Sequence, residues 1–150
     1  MGRWIGIDHG ARRIGLAVGD TKARIATLAK VIPARPLQAA IEQIKSLIGE
    51  YRAEGLVVGL PINMDDTEGP QAKAVREFAV ALETATGLEV RLWDERLSSF
   101  EADRKLAGHL TRKKRRARQD AVAAAEILQG FLDSSGARAA GSRDEGEDAK

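Results

Sequence analysis

Three acidic residues in this 150-residue chain have settings that suit chemistry: Asp8, Glu95 and Asp120. Asp8 closes the apolar run Trp4-Ile5-Gly6-Ile7, and Glu95 follows the extended segment that ends at Asp94. In a sheet covered by helices, strand ends are where loops open and ligands bind, because the interior is filled. Asp120 precedes Ala124, Ile127 and Phe131 by 4, 7 and 11 residues, so it heads the apolar stripe of a helix and should face the sheet. If both strands end at one edge, the three acids share a cleft. A few ångströms apart they repel, and at least one takes up a proton. Mg²⁺ or Mn²⁺ resolves this, because hard cations prefer carboxylate and water ligands. Two such ions, about 3.5–4 Å apart, suit the attacking and leaving oxygens of a phosphodiester.

Each acid also has an ordinary explanation. Asp8 could support the turn at Gly10, Glu95 could pair with Arg91 or Arg96, and Asp120 could be a helix N-cap. His9 and His109 are isolated and read as surface or turn residues.

A nucleic-acid substrate is suggested by charge. Net charge is only +2, yet residues 112–118 carry six positive charges and no negative one. Without that run the chain is net negative. A basic patch suits a polyanion, and this one leads directly into Asp120. Arg112, Lys113, Lys114 and Arg115 are therefore expected to position phosphates without reading sequence.

The elements that must position these residues follow from periodicity. Arg3 to Asp8, Ile14 to Gly19 and Ile25 to Ile32 are short β-rich segments separated by turn residues. From Leu37 the period becomes helical, with Ile41, Ile44, Ile48 and Tyr51 on one stripe. Gly55 follows, and Leu56 to Leu60 reads as a strand buried on both faces. Pro70 starts a second helix, Gly87 ends it, and Leu88 to Asp94 is a fifth strand. Ser98 or Ser99 caps a short helix to Leu106, and a last helix carries Ala124, Ile127, Leu128 and Phe131. The order β-β-β-α-β-α-β-α predicts an α/β fold, a five-stranded mixed sheet with helices on its faces. Residues 1–134 form the expected domain, and 135–150 lack the apolar residues to order them.

Other features bound the reading. The absence of cysteine excludes disulfides and thiolate metal sites. No leader pattern opens the chain, and no apolar run approaches membrane-spanning length. A soluble cytoplasmic protein with no membrane partner is expected.

Four blocks carry a family resemblance. The stretch Gly6-Ile7-Asp8-His9-Gly10-Ala11-Arg12-Arg13-Ile14-Gly15-Leu16-Ala17-Val18 closely resembles the first block of the YqgF (RuvX) family. Gly59 to Pro70 looks like its loop after the fourth strand, and Asp94-Glu95-Arg96-Leu97-Ser98-Ser99 is similar to its Asp-Glu-Arg-Leu-Thr-Thr signature. Asp120-Ala121-Val122-Ala123-Ala124 with Ile127-Leu128-Gln129 matches its last helix. Members are described as Holliday junction resolvases and as nucleases processing the 5′ end of precursor 16S ribosomal RNA. The resemblance implies a ribonuclease-H-like fold and catalytic, metal-holding roles for Asp8, Glu95 and Asp120. It also implies substrate contacts for Arg13, Asn63 and Arg96. Three departures stand out: His9, Asp66 where glycine is usual, and Ser98-Ser99 for two threonines.

Two other functions are compatible with parts of the pattern. Asp8-His9-Gly10 before a hairpin also suits the phosphate turn of an actin-like or sugar-kinase ATPase, but no second copy of that turn is present. A non-catalytic ribosome-assembly factor needs only the basic run and leaves the acids unexplained. The expected partner is structured RNA, precursor rRNA or branched DNA, bound by a monomer or a homodimer.

Overall fold

The computed structural model describes residues 2–97 and 122–134. Its strands are β1 (Arg3–His9), β2 (Arg13–Asp20), β3 (Ala26–Pro33), β4 (Ala53–Leu60) and β5 (Glu89–Asp94), and its first two helices are α1 (Leu37–Tyr51) and α2 (Pro70–Thr86). Residues 122–134 are helical and form α3. The single sheet has the order β3-β2-β1-β4-β5. β1 and β2 pair antiparallel, as do β2 and β3, whereas β4 runs parallel to both β1 and β5.

Alternation along the strands builds two cores. Ile5, Ile7, Ile14, Leu16, Leu56 and Val58 point to the face covered by α1 and α2, where they meet Ile44, Val75, Phe78 and Leu82. Trp4, Ala17 and Val57 point to the other face, against Ala124, Ile127, Leu128, Phe131 and Leu132 of α3. β4, held between β1 and β5, has its apolar residues buried on both sides, as its uninterrupted run requires. α2 starts with Pro70 and ends where Gly87 takes the left-handed conformation, φ 73°, its N–H reaching Glu83 O.

Two expectations need correction. The fourth strand starts before Leu56, because the helix stops at Tyr51. Arg52 adopts the left-handed C-cap, φ 56°, with its N–H on Ile48 O, and β4 begins at Ala53. Gly55 lies inside β4 because a side chain there would overlap the Trp4 ring. His9 is neither a surface nor a turn residue: it ends β1, half-buried, and stacks on Phe78 with ring centroids 4.4 Å apart. The expected helix from Ser98 or Ser99, His109, the basic run, Asp120 and the tail at 135–150 lie outside the described residues. Among the described residues no helix is long and apolar enough to cross a membrane.

Candidate active site

β1, β4 and β5 are parallel, so their carboxyl ends (His9, Leu60 and Asp94) share one edge of the sheet. β2 starts there with Arg13, β3 ends there with Pro33, and the loops into α1 and α2 leave from there. Asp8 lies one residue before the end of β1. Strand alternation puts its side chain on the α3 face, two residues beyond Gly6.

Gly59 explains how a second carboxylate arrives beside it. Ile7 pairs with Val58 in the parallel register, so Asp8 and Gly59 follow side by side. A methyl group on Gly59 would overlap Ile127 Cδ1 and sit 2.8 Å from Glu95 Oε2. The Glu95 side chain therefore lies over Gly59, filling the space a Cβ would take, within about one strand spacing of the Asp8 column. Gly6 plays the matching part on β1, where a Cβ would stand 2.6 Å from Leu128 Cβ and 2.8 Å from Ala124 O. The two glycines let α3 lie close against the sheet directly behind both acids.

Sequence reasoning gave Asp94 no role, although it is the carboxylate adjacent to Glu95. The two separate completely. Asp94 Oδ1 accepts the Arg96 backbone N–H at 2.9 Å, and its carboxylate takes Arg96 Nε at 3.1 Å and Nη2 at 2.8 Å. That hydrogen bonding holds the Asp94 carboxyl below its usual value. Glu95 pairs with neither Arg96 nor Arg91, which bonds Glu89 instead. Burial, and then the Asp94 charge, push the Glu95 carboxyl upward. A half-buried acid with no cationic partner among the described residues, beside a second carboxylate, is a setting that a hard cation would relieve.

The remaining expected contacts are placed as follows. Arg13 starts β2 on the Asp8 face, since Asp8 pairs with Gly15. Asn63 lies in the β4–α2 loop, its backbone N–H on Thr67 O and its Nδ2 on Thr67 Oγ1. Arg96 reaches that loop, donating to Asn63 O at 3.1 Å and to Asp66 Oδ1 at 2.8 Å. Asp66 has φ 71°, so it keeps the left-handed bend that glycine favours. On the opposite side, Gln71 Nε2 of α2 donates to His9 O at 3.0 Å. Burial pushes the His9 imidazole pKa down. Among the described residues no group of three metal-binding side chains converges; Asp8 and Glu95 are two, and Asp120 lies outside.

Comparison with known proteins agrees with this architecture. A protein of Anaeromyxobacter sp. (strain K), named "Putative pre-16S rRNA nuclease", is 47% identical over 132 residues, covering 87% of this chain and 96% of that protein. One of the same name from Halothermothrix orenii is 43% identical over 131 residues, covering 87% and 94%. Thermus thermophilus RuvC in complex with a Holliday junction substrate superposes with a TM-score of 0.57 at 16% identity, covering 90% of this chain and 96% of that one. The fowlpox virus Holliday junction resolvase gives 0.53 at 10% identity, covering 89% and 99%. The fold is thus the ribonuclease-H-like fold of the RuvC resolvases. The family model described as "RuvX: Holliday junction resolvase" matches residues 2–134, and the chain belongs to that family of nucleases.

Proposed function

We propose that this nuclease cleaves phosphodiester bonds in structured RNA, at the 5′ end of precursor 16S rRNA, with Asp8, Glu95 and Asp120 as its catalytic carboxylates. The observation that carries the reading is the Glu95 carboxylate lying over Gly59, beside Asp8. The run of α3 supports the third acid. Its contacts pass from Gly19 through Leu132 to Gly6 through Ala124, so the helix climbs toward the edge where Asp8 stands. In the sequence Asp120 precedes Ala124 by four residues. The relatives' name supports the RNA substrate.

Asp8 and Glu95 offer carboxylate oxygens only, a donor set that fits Mg²⁺ or Mn²⁺ rather than a softer metal. When bound, one or two such ions lower the pKa of the attacking water and neutralise charge on the leaving oxygen. The chain's own residues do the rest. Asp8, near the end of β1, and Glu95, in the turn after β5, would hold the ions. Arg13, on the Asp8 face, holds a phosphate of the bound strand, and Arg12 and Arg35, both exposed at the same edge, extend that positive surface. The basic run at 112–118 adds six positive charges that suit the same polyanion.

Incubation with precursor 16S rRNA in Mg²⁺ or Mn²⁺ tests the proposal, and the Asp8→Asn variant is the control. Specific shortening of the 5′ end is expected from the wild type alone. Cleavage retained in the variant removes Asp8 from the mechanism. A second reading, cleavage of a four-way DNA junction, is favoured by the family description. It demands a two-fold symmetric dimer. Junction DNA in the same assay, with mass in solution, decides between them.

A further inference from the structure

Arg96 immediately follows Glu95, and its guanidinium is occupied by the protein itself. Of its five N–H groups, one on Nε and one on Nη2 go to Asp94, and the two on Nη1 go to Asp66 Oδ1 and Asn63 O. The two carboxylates come from different segments, the end of β5 and the β4–α2 loop. That loop is already closed on itself through Asp66 N–H to Asn63 O at 2.9 Å and Asn63 N–H to Thr67 O at 2.8 Å. The Arg96 backbone N–H on Asp94 Oδ1 also closes an Asx turn, with Glu95 as its central residue. A cation between two carboxylates is a poor phosphate receptor. An incoming phosphate would have to displace one of them while being repelled by it.

We propose that Arg96 is a positioning residue and not a substrate contact: with Asp66 it latches the β4–α2 loop to the end of β5, turns Asp94 aside, and leaves Glu95 presented over Gly59. The inference rests on the proposed role of Glu95 at the metal site. Releasing the latch frees the turn around Glu95, so the step that needs Glu95 in place slows while the nucleic acid still binds.

The test uses the full chain and the variants Arg96→Gln, Arg96→Lys and Asp66→Asn, each checked by thermal melting. Arg96→Gln is expected to lower kcat tenfold or more with KM within twofold, Arg96→Lys to recover part of the loss, and Asp66→Asn to show a smaller loss of the same kind. The double variant Asp66→Asn/Arg96→Gln should be no worse than Arg96→Gln alone; independent, multiplying losses overturn the latch. Nucleic-acid binding is measured against salt in the Asp8→Asn background. Arg96→Gln should leave the slope of log Kd against log salt unchanged. A slope reduced by about 1, the mark of one lost phosphate contact, overturns the proposal. Mn²⁺ titration gives a reading independent of cleavage. Removing a positive charge should by itself tighten cation binding, whereas loss of the latch should weaken it several-fold. Tighter or unchanged Mn²⁺ binding in Arg96→Gln therefore also overturns the proposal. A wild type that cleaves no nucleic acid but shows the Mn²⁺ effect would count against the proposed function and leave the latch standing.

Discussion

The two faces of the sheet are built to different plans. Under α1 and α2 lies a broad aliphatic layer of Ile, Leu and Val with Phe78, drawn from four strands and two helices. Under α3 the layer is thin and aromatic. Trp4 and Phe131 approach to 4.7 Å between ring centroids, Trp93 meets Phe131 edge-on at 6.4 Å, and Gly6 and Gly59 let the helix backbone come close. Area buried per face favours the first for stability. The second leaves room at its open end for polar side chains, and both described acids of the candidate site emerge there. The difference teaches a division of labour, with a thick face to stabilise the sheet and a thin one to admit charge beside it.

That division can be broken most sharply at Asp8. Asp8→Asn keeps shape and packing, so cleavage should fall by ~10³-fold or more while the melting temperature stays put. Assay and melt together check it, and a large loss of stability would make Asp8 part of the scaffold. Gly59→Ala strikes where the thin face and the site meet. The added methyl must displace Ile127 or Glu95, costing about 1–3 kcal/mol of stability and, through a misplaced Glu95, roughly 100-fold in rate. Chemical denaturation and cleavage kinetics on one preparation would show whether the two losses travel together. On the thick face the opposite is expected. Ile44→Ala, at a fully buried position, should cost about 2–5 kcal/mol yet leave kcat unchanged below its melting point.

The smallest effect concerns pH. Glu95 titrates higher in the folded chain than in the unfolded one, because burial and the Asp94 charge favour its neutral form. Its contribution to stability is then complete below the ordinary glutamate pKa and disappears as pH rises through the folded value. Metal-free melts across that acidic window should show stability falling with pH, and Glu95→Gln should flatten the slope. A divalent cation should restore stability above the window, since it binds only the folded site. A slope of the opposite sign would place Glu95 in an ion pair instead.

Much of this architecture was readable in advance because side-chain periodicity is a local property. The 3.6-residue stripe and the uninterrupted run of β4 identified Ile41, Ile44, Val58, Ile127 and Leu128 as buried from neighbours in the chain alone. Boundaries were less legible. The fourth strand starts at Ala53, not Leu56, because Arg52 takes the left-handed cap position and Gly55 lies within the strand against the Trp4 ring. His9 was misjudged for the same reason, because its partner Phe78 lies far along the chain on α2.

What the sequence by itself determined, then, is the order of elements, their buried faces and the strand ends at which Asp8 and Glu95 stand. Which of the neighbours Asp94 and Glu95 turns toward the site was settled only in three dimensions. That choice depends on Arg96 finding Asp66 and Asn63, some thirty residues away, and on a glycine in the adjacent strand leaving space for a carboxylate. Pairings of that kind rest on distance and shape across the fold, to which spacing along the chain is blind.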